Sequence, residues 1–241
     1  MKVLVLGERG MLGNTVLKYF NSKNSCEVQT IIGRWDSKEF KKSIRCFTNG
    51  FIINCIGAIP QKTNHFVVNT ELPMWLVKNS MCRIVHPGTD CELDNDLYGI
   101  SKREATEFIV EKRENTKVIK SSIIGHEDNG VHGLLEWFLT LKEMSVVGYG
   151  EWYWNGITTL QWAKVCYNIC RNWEEYSYLT IPYTECISKY KLLQIINDVY
   201  KKEIIINKSN FPQANKCLKG NLPTPTIKEQ LLELQSFFRR R

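Results

Sequence analysis

Tyr98 and Lys102 stand four residues apart in Tyr98-Gly99-Ile100-Ser101-Lys102, a spacing that sets a phenol and an ammonium one helical turn from each other. A cation so placed favours the phenolate, and a phenol tuned in this way can serve as a general acid near neutral pH. The spacing by itself proves little, because Tyr19 and Lys23 repeat it inside a segment of helical apolar periodicity. Position distinguishes Tyr98. It follows the β-rich run Arg83-Ile84-Val85-His86, and just past that run Thr89 offers a hydroxyl for a carbonyl oxygen. An ordinary surface pair is the competing reading.

Gly7-Glu8-Arg9-Gly10-Met11-Leu12-Gly13 carries the glycine spacing used where a strand turns into a helix whose N–H groups and positive dipole end receive a pyrophosphate. Gly7 permits the turn, Gly10 lets the backbone approach the phosphates, and Gly13 allows close packing of helix on strand. The context agrees: the β-rich run of residues 2–6 precedes it, and Met11, Leu12, Val16, Leu17 and Phe20 follow at helical spacing. After the next β-rich run comes Gly33-Arg34-Trp35-Asp36. There a cation would take the 2′-phosphate of NADP and a carboxylate the ribose 2′-hydroxyl of NAD. Arg34 comes first and favours NADP; Asp36 keeps NAD open. Arg34 reads equally well as a solvated loop residue.

Short apolar runs without alternation must position these groups. They cover residues 2–6, Val28 to Ile32, Phe51 to Ile56 ending at Gly57, Arg83 to His86, and Lys117 to Lys120. Helical segments over Asn69 to Asn79 and Ser101 to Glu114 lie between them, the second with Ala105, Phe108 and Ile109 facing inward. The pattern predicts an α/β fold with a Rossmann-type, doubly wound parallel sheet covered on both faces. Beyond about residue 125 the rhythm changes. Trp137, Phe138, Tyr149, Trp152, Tyr153 and Trp154 form an aromatic cluster, followed by helical segments near Leu160–Trp173 and Lys189–Tyr200. The expected division is an NAD(P)-binding Rossmann domain over 1–125 and a smaller C-terminal substrate-binding lobe over 126–241, interleaved with the first.

Composition bounds the partners. With 43% hydrophobic and 24% charged residues, the chain has the material for a core, and its net charge of +7 is spread along its length. No basic stripe or known module points to nucleic acid. The run Arg239, Arg240, Arg241 reads as a solvated terminus. No apolar run is long enough for a bilayer, so no membrane partner is expected. The N-terminus runs straight into a strand without a signal peptide, so the nine cysteines read as small buried or half-buried residues in a reducing cytoplasm. Cys166 and Cys170 lie one helical turn apart without nearby His or Cys partners, and no metal site is expected. A homodimer stays open.

With the glycine turn, Thr89 and the Tyr98/Lys102 pair in that order, the chain resembles the extended short-chain dehydrogenase/reductases. Further stretches narrow the match: Asn54-Cys55-Ile56-Gly57-Ala58, Asn69 with Leu72-Pro73, Gly88-Thr89-Asp90-Cys91, Asp96-Leu97-Tyr98-Gly99, Ser122-Ile123-Ile124-Gly125-His126-Glu127 and Ile187-Ser188-Lys189-Tyr190. These are similar to the sugar-nucleotide reductase branch that contains dTDP-4-dehydrorhamnose reductase, over roughly residues 1 to 200. The resemblance implies NAD(P)H-dependent reduction of a nucleotide-linked 4-keto-6-deoxy sugar for polysaccharide or glycan synthesis. Tyr98 would donate the proton, Lys102 would hold the nicotinamide ribose and tune Tyr98, and Thr89 would orient the carbonyl. Gly7, Arg9, Gly10, Met11, Leu12, Gly13, Arg34, Cys55, Ile56, Gly57, Asn69, Ser121 and Ser122 would complete the cofactor site, with NADP as cofactor and NAD open. Trp152, Trp154, Asn155 and Thr158 would wall the nucleotide-sugar site; core of the lobe is the competing reading of the aromatics.

Two segments depart from the family. Only sixteen residues separate Arg34 from Phe51, where another strand and helix, usually with an acidic residue for the adenine, are customary, so that strand is expected to be missing. Only eight separate Thr89 from Tyr98, so shielding of the substrate is expected to be reduced or supplied by another chain. Lys120 also stands where an arginine is common. Two other readings use the same fold: a sugar-nucleotide epimerase or dehydratase, and a non-catalytic nucleotide-binding regulatory module.

Overall fold

Val3 and Val5 pack into one apolar layer and Leu4 and Leu6 into another, and none of the four is more than 2% exposed. A strand buried on both faces belongs in the middle of a sheet covered by helices. The computed structural model describes residues 1–112, 115–128 and 130–239. Glu114 at the end of an expected helix, and Arg240 and Arg241 of the arginine tail, lie outside the described residues.

The first part of the chain runs β1 (Lys2–Leu6), α1 (Met11–Asn21), β2 (Glu27–Thr30), α2 (Lys38–Cys46), β3 (Phe51–Asn54), α3 (Val67–Asn79), β4 (Arg83–Gly88), a 3-10 turn at Asp90–Leu93, α4 (Leu97–Lys112) and β5 (Thr116–Lys120). There follow β6 (Ile123–Ile124), α5 (Leu134–Thr140), β7 (Ser145–Tyr149), β8 (Trp152–Trp154), β9 (Ile157–Thr158) and α6 (Thr159–Arg171). The remainder comprises β10 (Leu179–Thr180), β11 (Pro182–Tyr183), β12 (Ile187–Ser188), α7 (Lys189–Tyr200), β13 (Ile205–Ser209), β14 (Ala214–Asn215), β15 (Leu222–Pro223) and α8 (Ile227–Arg239).

The central sheet is parallel throughout, in the order β10-β5-β4-β3-β1-β2. Val16 and Phe20 of α1 and Trp162, Cys166 and Ile169 of α6 cover one face, while Phe40, Ile44, Leu72 and Leu76 of α2 and α3 cover the other. This is the doubly wound α/β arrangement that the spacing of the apolar runs predicts.

The stretch between Arg34 and Phe51 holds a helix but no strand. Ser37 caps α2 by accepting from the Phe40 N–H at 3.1 Å, and nine helical residues then use up the chain available. As a result β2 is the edge of the sheet. It ends at Thr30, short of the expected Ile32, and its residues are mostly exposed because no strand lies beyond it.

The second part of the chain builds its own core from α5, α7 and α8, with Leu135, Phe138, Trp154, Leu192, Ile196, Leu231 and Leu234 at its centre. It returns twice to the first part, through α6 on α1 and through β10 on β5. Among the described residues, no helix is long and apolar enough to cross a membrane.

One cysteine expectation is corrected. Cys186 and Cys217 form a disulfide, with Cα atoms 5.9 Å apart across thirty-one residues of chain. The strands β12 and β14 that carry them to this place both pair with β8. The other seven are free, and of these Cys46 is exposed.

Candidate active site

Gly7 takes φ +78°, a left-handed conformation that the absence of a side chain makes easy, and a Cβ there would lie 2.9 Å from the Cys55 backbone. Gly13 is tighter: its Cβ would stand 2.0 Å from the Gly7 carbonyl oxygen, so α1 rests directly on the turn. Gly10 differs. A Cβ there would meet only the Gly7 oxygen at 3.4 Å, which leaves open space above the turn. No side chain caps α1 and no acidic residue occupies its first turn, so its first N–H groups are offered to an anion. The residues present therefore fit a dinucleotide pyrophosphate. Arg9 is exposed and pairs with Glu8 at 3.6 Å. Met11 is half-buried, while the Leu12 side chain belongs to the core. Arg34, exposed on the loop after β2, is paired with Asp36 at 3.2 Å. The two residues that separate the NADP and NAD expectations thus hold each other.

The next strand ends bring the remaining groups to the same edge. Asn69 is buried and its side chain both accepts from the Ala58 N–H at 2.8 Å and donates to the Ala58 carbonyl at 3.0 Å, which fixes the loop of Cys55, Ile56 and Gly57 against α3. It also donates to Ser101, whose hydroxyl donates to the Tyr98 carbonyl at 2.7 Å. Asn69 is thus a positioning residue, tying the loop after β3 to the start of α4. Ser121 is buried and donates to the Ser122 carbonyl, which also accepts from Ile157.

Thr89 opens the 3-10 turn. Its N–H donates to Glu92 at 2.9 Å, and its hydroxyl donates to Asp90 at 3.0 Å while accepting from the Cys91 N–H at 3.3 Å. Tyr98 is half-buried at the first turn of α4, and its ring meets Phe66 edge-on at 5.5 Å. Burial, Cys91 and Asp90 push the phenol up from its ordinary range, against the opposing pull of the Thr89 hydroxyl. This corrects the expectation of a phenol lowered by its lysine. Lys102 instead donates to the Pro87 carbonyl at 2.7 Å. Burial brings its ammonium down to about 8, with Glu92 opposing. The comparison pair behaves as its location suggests: Lys23 lies over the Tyr19 ring at 4.3 Å, as a surface cation–π contact.

The eight residues between Thr89 and Tyr98 are pinned down. Glu92, 2% exposed, accepts from Thr89 and Thr106 and pairs with Lys120 at 2.8 Å. Arg103 donates to the carbonyls of Glu92 and Asp94, and Gly99 donates to Asp96. From the second part of the chain, Lys216 pairs with Asp94 of this segment.

Of the four residues expected to wall the substrate, Trp152 is half-buried and the other three are buried. Trp154 is 5% exposed and packs in the second core; Asn155 spends its amide on the Leu218 backbone; Thr158 is buried as the cap of α6 and is held by Gln230. Trp152 and Trp154 lie on one face of β8, and the second core covers Trp154. Trp152 stays half-buried, but the Lys189 ammonium lies over its ring at 4.1 Å.

No protein-family model and no curated protein matches the chain. Among solved structures, dTDP-4-dehydrorhamnose reductase from Bacillus anthracis, determined with NADP, superposes with a TM-score of 0.81 at 14% identity, over 100% of this chain and 99% of that one. The Clostridium acetobutylicum dTDP-4-dehydrorhamnose reductase gives 0.75 at 16% identity, over 99% and 100%. A B. anthracis dTDP-glucose 4,6-dehydratase with NAD gives 0.74 at 13%, over 100% and 97%. The chain has the fold of these sugar-nucleotide enzymes. The resemblance read from the sequence is borne out at the level of fold.

Within that fold, several groups at the site escaped the sequence reading. Asn54 at the end of β3 and His86 within β4 form a buried pair: the Asn54 amide meets His86 Nδ1 at 3.1 Å, and Asn54 Oδ1 accepts from the Ile56 N–H. An amide N–H only donates, so Nδ1 accepts and the ring proton sits on Nε2, which has no partner among the described residues. Burial, then Lys102, hold His86 neutral, well below its ordinary range. A polar residue closing each of two apolar runs was the signal available. Glu92, Asp94 and Lys216 gave none, since their meaning lies in contacts between distant parts of the chain.

Proposed function

We propose that this protein is an NADPH-dependent reductase, with NADH as the other candidate donor, that acts on a keto group of a nucleotide-linked 4-keto-6-deoxy sugar. The observation that carries the reading is the placement of Thr89, directly after β4, and of Tyr98, in the first turn of α4, at the same end of the parallel sheet as the open glycine turn. The backbone of Gly10, Met11, Leu12 and Gly13 would hold the pyrophosphate, Arg34 the 2′-phosphate, and Cys55, Ile56, Gly57 and Ser122 the nicotinamide side. A reduced nicotinamide bound there supplies hydride to the carbonyl carbon.

The chain's own residues manage the proton. Tyr98 stays a neutral phenol because burial and the adjacent acidic groups disfavour its anion, so its proton is held until an alkoxide forms on the substrate. Thr89 directs the carbonyl oxygen towards that proton. Lys102 keeps a positive charge beneath the site, anchored to Pro87. The reading is supported by the fold shared with sugar-nucleotide reductases.

A second reading, a nucleotide-binding module without turnover, is favoured by the bare edge of β2, where the customary neighbouring strand is missing. Titration with NADPH and NADH, followed by a panel of nucleotide-linked 4-keto-6-deoxy sugars with absorbance of the reduced nicotinamide as readout, separates the two. Sugar-dependent oxidation supports the reductase; binding without oxidation supports the module.

A further inference from the structure

The Cys186–Cys217 disulfide closes one end of the three-stranded sheet β12-β8-β14. Ile187 pairs with Trp154 in the antiparallel register, and Asn215 pairs with Tyr153 in the parallel one. One residue further on the first edge and two further on the second, both registers arrive beside Asn155, past the end of β8 at Trp154. There Cys186 and Cys217 meet, with Cα atoms 5.9 Å apart.

The two cysteines differ in access. Cys186 is exposed between β11 and β12, whereas Cys217 is half-buried. Access to one sulfur is what a thiolate needs to attack, and exposed pairs are the readily exchanged ones. Cys217 directly follows Lys216, whose N–H donates to the Tyr153 carbonyl at 3.0 Å and whose ammonium pairs with Asp94 in the segment between Thr89 and Tyr98. On its other side, Asn155 exchanges two hydrogen bonds with the Leu218 backbone. The strands β12 and β14 are two residues long each, so strand pairing alone holds them weakly. The disulfide adds a covalent tie across thirty-one residues of chain, immediately beside the lysine that reaches the Tyr98 segment.

We propose that Cys186–Cys217 is a thiol–disulfide exchange site for an external dithiol, and that opening it loosens the tie of Lys216 on the segment before Tyr98. A thiolate of the dithiol attacks the exposed Cys186 Sγ, the bond to Cys217 breaks, and its electron pair leaves on Cys217 Sγ. The second thiol then attacks the reductant's own sulfur in the mixed disulfide and releases Cys186. Two electrons and two protons pass to the cysteine pair, and the dithiol becomes a disulfide. The proposal goes beyond the reductase reading and needs no turnover.

Two readouts on the folded protein test it, with dithiothreitol as the dithiol. Differential alkylation read by mass spectrometry should show Cys186 and Cys217 gaining label together at reductant concentrations that leave the protein folded. Amide hydrogen exchange should then rise about tenfold or more over residues 90–97, including the Asp94 N–H that donates to the Cys91 carbonyl at 2.9 Å, and return on reoxidation. The double variant Cys186→Ser/Cys217→Ser should exchange fast over 90–97 and ignore dithiothreitol. Lys216→Gln should do the same over 90–97 while its disulfide stays closed. If the double variant does not fold, the reduced wild type and Lys216→Gln carry the test. A pair that opens only on unfolding, a reduced protein that keeps 90–97 protected, protection retained in Lys216→Gln, or a double variant that still responds to dithiothreitol would each overturn the proposal.

Discussion

Lys102 donates its ammonium hydrogen bond to the carbonyl of Pro87 at 2.7 Å, which locks a buried cation to the last turn of β4 beneath Thr89 and Tyr98. Burial brings this ammonium down to about 8. The cation is therefore present below that pH and is lost as pH rises through it. Reduction is expected to fall along the same limb, measured as kcat/KM for NADPH oxidation between pH 6 and 10, and Lys102→Met should abolish that limb together with most of the rate. An unchanged rate well above pH 8 would deny the cation its role.

Tyr98→Phe removes the proton donor and leaves the ring in place. The expected loss in kcat is about 10²- to 10⁴-fold, the usual contribution of a general acid, with cofactor Kd nearly unchanged. A wild-type rate would mean that another group delivers the proton.

Two glycines a single turn apart should fail differently. Gly13→Ala places a Cβ 2.0 Å from the Gly7 oxygen and should destabilise the fold by about 1–3 kcal/mol, the typical cost of overpacking, read by thermal or denaturant unfolding. Gly10→Ala meets only one atom, at 3.4 Å, so the protein should unfold like the wild type and yet bind NADPH more weakly because the methyl fills the space over the turn. Equal stability of the two variants would contradict the packing described.

Glu92 anchors the short segment before Tyr98 through Thr89, Thr106 and Lys120. Glu92→Ala strands a mostly buried Lys120 and the Thr89 N–H, for an expected loss of about 3–5 kcal/mol by chemical denaturation. A loss below about 1 kcal/mol, the worth of a surface pair, would show that the segment is held by other means.

Local rules made much of this legible. The apolar run of residues 2–6, Gly7, Gly10 and Gly13 report on one strand, one turn and one helix, where sequence neighbours are also spatial neighbours. Tyr98 and Thr89 were found for the same reason. What escaped depends on distance along the chain. Lys216 meets Asp94 across 122 residues, and Cys186 meets Cys217 only because β12 and β14 both pair with β8. Trp152 and Trp154 look alike in sequence and share one face of β8, yet only the second is covered by helices from distant parts of the chain. Helix α4 sets Tyr98 and Lys102 one turn apart as the spacing implies, but burial raises the phenol, and the Lys102 proton is engaged by Pro87.

The central claim is that hydride reaches a sugar carbonyl at this site. The most direct measurement is incubation with a dTDP-linked 4-keto-6-deoxy sugar and NADPH deuterated at nicotinamide C4 on the transferred face, with the product read by nuclear magnetic resonance. Deuterium bonded to the new carbinol carbon of the sugar, absent from the Tyr98→Phe reaction run for the same time, is the predicted result. A protein that binds both compounds and leaves the label on the nicotinamide would contradict the account.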